Sequence, residues 1–270
     1  MKARHAAANA ARFLGGAEVY DHCRPAPPRI LTDLLPALAR RRPRLIVDLG
    51  SGTGLSTRPW ARCASRVIGV EPNADMRARA IAATAAKNVV YREGYSHDTG
   101  LAPASVDILV CAQALHWMEP APTWREIARI VRPGGVVAII HAEMPPIIDF
   151  GLRDAFGVVR AKAIAYDRRH RLDPDERKWS KAEHDAARRR VGRFLPEWEF
   201  GLHDVDRGDA ERLAGLAKSL GDVLKAQKNG ATDHELGIDA LRRAAMRVMP
   251  RPVAWVWSFA AVLTIRRYSP

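Results

Sequence analysis

Residues 44–140 alternate short apolar runs with amphipathic stretches. Arg44 to Leu49 (RLIVDL) is nearly continuous in apolar character and stops at Gly50, the pattern of a buried parallel strand. A helix is expected over 55–64, followed by a strand at 66–71 (RVIGVE). Asn73 suits an N-cap, and the helix it opens should run to Ala86. Further strands are expected at 88–92, 106–112 (VDILVCA) and 136–140. A helix over 123–131 is halted by Pro133-Gly134-Gly135. Such regular β-α alternation predicts a doubly wound, mostly parallel sheet.

The pattern changes after residue 142. Residues 150–193 are charged and mostly helical in character, and 198–205 reads as a strand. From Asp209 to Leu224, the residues Leu213, Leu216, Ala217, Leu220 and Leu224 recur at helical spacing, which marks a core-facing helix. Thr232 and Glu235 form a capping box opening a helix to about Met249, and Val253 to Ile265 reads as a buried last strand. The expectation is one domain over 1–270. It has a helical N-terminal segment (1–43), a core (44–142), helical insertions (143–195 and 206–250) and late strands (196–205 and 253–266).

A chain of 270 residues can bury a substantial core, and 47% apolar with 27% charged residues is ordinary for a globular protein. No apolar run approaches the roughly 20 residues of a membrane helix, so no membrane partner is expected. The N-terminus, MKARHAAANAARFLGG, is basic but lacks the apolar centre of a secretory signal and the serines of a transit peptide, which makes the cytoplasm the expected compartment. Cys23, Cys63 and Cys111 lie far apart without metal-ligand spacing, so neither a disulfide framework nor a metal is expected. The net charge of +13 brings nucleic acid into consideration. The basic residues are interleaved with acids and carry no aromatic-basic signature, which favours a solvated surface over a nucleic-acid partner. Arg188, Arg189 and Arg190, on a helix with Glu183 and Asp185, read as the same kind of solvated face.

The sharpest local signal is Asp48-Leu49-Gly50-Ser51-Gly52-Thr53-Gly54, placed between a strand and an expected helix. Glycines allow a tight turn and close approach of a ligand, and the amides at a helix start favour a polar group. Glu71 closes the next strand about twenty residues on, where a carboxylate can accept from both hydroxyls of a ribose. Together they predict a nucleoside-cofactor site. An acid at Asp48 would repel a pyrophosphate but suits a cationic amino-acid moiety. This favours S-adenosylmethionine over NAD, whose usual fingerprint is differently spaced.

Five stretches carry a family resemblance: VDLGSGTGLST (47–57), RVIGVEPNADM (66–76), ASVDILVCAQALHWM (104–118), IARIVRPGGVVAII (127–140) and YDHCRPAPPRI (20–30). They resemble the class I S-adenosylmethionine-dependent methyltransferases, in particular the small-molecule group that includes trans-aconitate methyltransferases. The resemblance implies a Rossmann-like, mostly parallel seven-stranded α/β sheet with helical insertions. It places Gly50, Ser51, Gly52 and Gly54 along the methionine and ribose portions of the cofactor, and Glu71 on the ribose. Pro72 and Met76 would cover the adenine, with Ser96 and His97 at its edge. Ala112, Gln113 and Ala114 would flank the sulfonium, while Tyr20 and Arg24 close over it. Relatives often carry Trp-Asn-Arg where this chain has His141-Ala142-Glu143, so a different acceptor is expected.

Methyl transfer needs alignment more than acid–base chemistry, although an alcohol, phenol or amine acceptor benefits from a base. His116 follows the fourth strand, and His141 and Glu143 end the fifth, at the edge where ligands gather. These three are the candidate catalytic residues. The expected partner is a small-molecule acceptor, methylated most often on oxygen in relatives. The alternatives are an RNA methyltransferase, suggested by charge, and a non-catalytic cofactor-binding protein.

Overall fold

A computed structural model describes residues 4–172 and 175–268. Its centre is a seven-stranded sheet built from β1 (Leu45–Leu49), β2 (Arg66–Val70), β3 (Val89–Arg92), β4 (Val106–Ala112), β5 (Val131–Ala142), β6 (Trp198–Gly208) and β7 (Val253–Ile265), in the order β3-β2-β1-β4-β5-β7-β6. The first five strands are mutually parallel, and β7 pairs antiparallel with both β5 and β6. The order reverses beside β1, so the carboxyl ends of β1 and β4 flank a crevice, the usual ligand position in such sheets.

Both faces of the inner parallel strands β2, β1, β4 and β5 are largely buried, which explains their apolar runs, while the edge strand β3 is partly exposed. Ile46, Ile108, Ala138 and Ile140 face one layer, containing α3 (Leu31–Leu38), α6 (Phe150–His170), α8 (Ala210–Lys218) and α11 (Ile238–Val248). Val47, Leu49, Leu109 and Ile139 face the other, containing α5 (Pro120–Ile130) and part of α7 (Lys181–Val191). The N-terminal segment forms α1 (Arg4–Ala11) and α2 (Ala17–Cys23), and α1 lies over the carboxyl edge of the sheet.

Several elements differ from expectation. The helix over 55–64 is a 3-10 turn at Arg58–Arg62, where Pro59 removes an amide donor. The helix after Asn73 is α4 (Ala74–Ala82), capped by the Asn73 side chain as expected but ended early where Thr84 Oγ1 bonds back to the Ala80 carbonyl. α5 begins at Pro120, a favoured first helical residue. β5 starts at Val131 and carries Pro133-Gly134-Gly135 within it as an irregularity against β4.

The single helix expected over 209–224 is two, α8 and α9 (Gly221–Lys228), broken at Ser219-Leu220. A Cβ on Gly221 would lie 2.2 Å from Arg12 Nε, so the break brings a glycine against a buried arginine. The Thr232–Glu235 capping box forms, but it opens only α10 (Asp233–Leu236). Gly237, at φ 79°, then turns the chain into α11. No helix among the described residues is long and apolar enough to cross a membrane.

Candidate functional site

The turn after β1 is tied to β2 through its backbone. The Gly50 and Ser51 amides both donate to the Val70 carbonyl, at 2.8 and 3.2 Å. Gly50, Gly52 and Gly54 all adopt positive φ, for different reasons. A Cβ on Gly50 would strike Ala114 and Met118, and one on Gly54 would lie 2.2 Å from Tyr91 Oη. At Gly52 a Cβ would meet nothing within 4 Å, because the residue faces a cavity.

That cavity lies over the ends of β1, β2 and β4. Gly50, Gly52, Glu71, Pro72, Met76, Ser96, His97, Ala112, Gln113 and Ala114 all line it, and Tyr20 borders it from α2. His97 stacks on Tyr95 with ring centroids 5.5 Å apart. A second, smaller cavity adjoins it and shares Tyr20, Gly50, Gly52, Ala112 and Gln113. Ser51 and Arg24 line this one. Gly54 and Asp48 line neither.

Asp48 departs most clearly from expectation. Strand alternation puts it on the face of Ile46, opposite Leu49. It is fully buried, and its Oδ2 accepts from Ser56 Oγ at 2.5 Å and Thr57 Oγ1 at 2.6 Å. It therefore fastens the chain after the glycine turn and does not face the cavity. Burial raises its carboxyl to about 6, against the opposing pull of those two hydroxyls.

Glu71 occupies the position between the turn and β2. Its Oε2 accepts from the Gly52 amide and its Oε1 from the Asn73 amide, each at 2.9 Å. Burial raises its carboxyl to about 7, only partly offset by those two amides. Arg24 lies at the other end of the site. Its guanidinium donates to Ser219 Oγ and to the Ser219 carbonyl, at 2.7 and 2.9 Å, and rests on the Tyr20 ring. No acid pairs with it among the described residues.

These groups fit S-adenosylmethionine. Its ribose hydroxyls match the Glu71 carboxylate, and its amino-acid carboxylate matches the unpaired Arg24. Ser51 Oγ, a buried oxygen of the turn that borders the smaller cavity, lacks a partner among the described residues.

Gln113 is a non-glycine residue at φ 57° at the end of β4, a strained conformation concentrated at functional sites. Its amide nitrogen Nε2 donates to the Ala142 carbonyl at 2.8 Å, and Oε1 stands 3.4 Å from His141 Nδ1. The His141 and His116 rings follow, with centroids 5.9 Å apart. Burial holds both imidazoles neutral near pH 7, His116 down to about 3 and His141 lowered. Thus Gln113 connects the cofactor cavity to two of the candidate catalytic residues. Glu143 makes no hydrogen bond with them, but its charge acts on His141 against the effect of burial. It is exposed on the strand-end surface, with its amide donated to the Ser258 carbonyl at 2.8 Å.

Other components of the site carry no signal in the sequence pattern. Asn9 and Phe13 line the cavity from the N-terminal segment, and Trp117 and Trp179 form further walls. Asn9 Nδ2 donates to the carbonyls of Trp117 and Arg177, both at 2.8 Å, clasping α1 over the opening. Arg12, just after α1, is buried between Glu176 and Asp222 and lies over the Trp117 ring. Nothing in a basic, alanine-rich N-terminus signals such a clasp. Of the three consecutive arginines on α7, Arg189 and Arg190 are exposed as expected. Arg188 is buried and paired with Glu197 at 2.5 Å.

A methyltransferase-domain family matches residues 47–139, which contain the glycine turn, Glu71 and the β4 end. An uncharacterized methyltransferase of Mycobacterium bovis is 36% identical over 122 residues, covering 45% of this chain and 48% of that protein. The malonyl-[acyl-carrier protein] O-methyltransferase of Pectobacterium atrosepticum is 36% identical over 94 residues, 34% of this chain and 36% of that enzyme. The chain spans about half the length of the M. bovis relative and less of the second. A solved structure from Anaeromyxobacter dehalogenans, provisionally assigned as a type II methyltransferase, is 26% identical with a TM-score of 0.63. It covers 89% of this chain and 97% of its own.

Proposed function

We propose, from the premise that this chain belongs to the class I S-adenosylmethionine-dependent methyltransferases, that it methylates an oxygen of a small-molecule acceptor. The observation that carries the reading is the path from Gln113 through His141 to His116, which sets two neutral imidazoles beside the cofactor cavity. A neutral imidazole accepts a hydroxyl proton, whereas a protonated one cannot. The lid formed by α1, Asn9 and Trp117 supports a small acceptor, because a polymer would have to thread beneath it.

Bound S-adenosylmethionine supplies a methyl carbon whose bond to sulfur breaks as a bond to the acceptor oxygen forms, the sulfur keeping the electron pair. The protein's part is orientation and exclusion of water, and orientation of this kind is worth roughly 7–11 kcal/mol. Glu71 fixes the ribose end and Arg24 the carboxylate end. Gln113, locked by its bond to Ala142, sets the wall between them. His141 receives the acceptor's hydroxyl proton at a ring nitrogen, since His116, pushed down to about 3, is too weak a base for that role and stands beside it as a neutral neighbour. The relative from P. atrosepticum is named for O-methylation, which agrees with this reading of the acceptor atom.

Incubation with methyl-labelled cofactor and a metabolite extract tests the proposal. Label is expected in a small organic fraction, as a methyl ether or ester. Label confined to RNA or protein contradicts it.

A further inference from the structure

α7 roofs a separate chamber of about 680 Å³ on the face of β5, β7 and β6. That volume lies within the range of sites for drug-sized ligands. The chamber meets the cofactor cavity at Trp179, which lines both and whose amide donates to the His116 carbonyl at 2.9 Å. His116 and His141 stand at its inner end. Its floor is hollow where small residues lie in register on β7 and β6: Ala260, opposite His141 of β5, pairs with Gly201. A Cβ on Gly201 would meet nothing closer than the Phe259 carbonyl oxygen, at 4.0 Å.

His184, on the underside of α7, lines this chamber at 3% exposure, and neither ring nitrogen has a hydrogen-bond partner. The Leu115 backbone approaches without reaching hydrogen-bonding geometry. The indole nitrogen of Trp124, another lining residue, is also buried and unpartnered. Leaving such groups unmet costs about 1–3 kcal/mol each, so two of them in one cavity point to a ligand that meets them.

The charges lining the chamber are paired, although Arg188 Nε and Glu197 Oε2 there have no hydrogen-bond partner. Lys181 pairs with Asp185 and Glu199 at 2.9 and 2.6 Å, and Arg188 with Glu197 at 2.5 Å. Two cations face three carboxylates, and this excess of negative charge disfavours an anionic ligand.

We propose that this chamber receives the acceptor, that His184 hydrogen-bonds it there, and that the acceptor is an uncharged, flat, hydroxyl-bearing ring compound. This inference rests on the function proposed above and adds the substrate class and a specificity residue. Trp124 and Trp179 supply flat walls, His184 an adaptable donor or acceptor, and the paired rim excludes carboxylates and phosphates. A hydroxyl at the inner end would reach His116 and His141 while the body of the ring lies under α7.

The test uses 2-naphthol as probe, titrated by its fluorescence into the full chain saturated with S-adenosylhomocysteine. One saturable site is expected, weakened at least about tenfold in His184→Phe, which keeps the bulk and removes both nitrogens. Gly201→Leu, on an exposed strand position, should fill the floor and weaken binding similarly. S-adenosylhomocysteine affinity should stay within about twofold in both variants, and 2-naphthoate should bind at least about tenfold more weakly than 2-naphthol. Equal 2-naphthol binding by the three proteins, or no saturable binding to the unmodified chain, overturns the chamber assignment. Equal or tighter binding of 2-naphthoate overturns the uncharged class. Failure of the unmodified chain to bind S-adenosylhomocysteine overturns the underlying function instead.

Discussion

The Gly52 amide donates to Glu71 Oε2 at 2.9 Å, joining the turn after β1 to the acid after β2. The loop and the carboxylate proposed to hold the cofactor's ribose are thus one hydrogen-bonded unit. Because Glu71 is raised to about 7 by burial, protonation controls that unit. Below about pH 7 the carboxyl is neutral, and above it an ionised acceptor is available for the ribose hydroxyls. S-adenosylhomocysteine affinity should therefore rise by up to about tenfold between pH 6 and 8, and Glu71→Gln should flatten the profile. For stability the sign is opposite. An acid raised in the folded state destabilises it as pH climbs from the unfolded value toward about 7. The melting temperature of Glu71→Gln relative to the unmodified chain should accordingly be more favourable at pH 8 than at pH 5. Calorimetric titration and thermal melts across pH check both.

Gly52 and Gly54 should respond differently to a methyl group. Both have positive φ, so each alanine costs about 1–2 kcal/mol in backbone strain. At Gly54 the methyl also collides with Tyr91 Oη, so Gly54→Ala should lower stability by a further 1–3 kcal/mol or so. At Gly52 it points into the cavity, so Gly52→Ala should melt nearer to the unmodified chain yet lose more cofactor affinity. Melting and ligand titration of the two variants separate these effects.

Arg24 is the cation at the smaller cavity with no acid beside it among the described residues, and Ser219 fixes its direction. Arg24→Met should weaken S-adenosylhomocysteine by about 10- to 100-fold, the worth of a charge-assisted hydrogen bond of roughly 1.5–3 kcal/mol. Adenosine, which lacks the amino-acid carboxylate, should lose little. Competition titration of the two ligands reads the difference.

Arg12 sits between Glu176 and Asp222 at 3% side-chain exposure and anchors the end of α1 to α9 and the 175–180 segment. Removing one partner of a buried ionic cluster typically costs about 3–5 kcal/mol. Arg12→Ala should destabilise by that order in denaturant melts. It should also speed cofactor dissociation, because α1 forms part of the cavity roof.

The parallel core was legible because its strands are continuous apolar runs separated by turn residues, and the position of Glu71 beside the glycine turn was legible from its spacing. Asp48 was misplaced because the chemistry of an acid near glycines outweighed simple alternation, which already set it with Ile46 on the opposite face from Leu49. The remaining departures come from tertiary contacts. The break between α8 and α9 answers to Arg12, some 200 residues away in sequence, and the left-handed Gln113 to its bonds with β5. His184 was hidden for the same reason. Within KAEHDAARRR the helix reads as solvated, and only docking on α5 and the sheet decides which of its side chains are buried.

Isothermal titration of S-adenosylhomocysteine into the purified chain, beside Glu71→Ala, measures the central claim most directly. A single site per chain in about the micromolar range is expected, weakened at least about tenfold by the substitution. No heat of binding up to millimolar ligand, or equal affinity in both proteins, would contradict it.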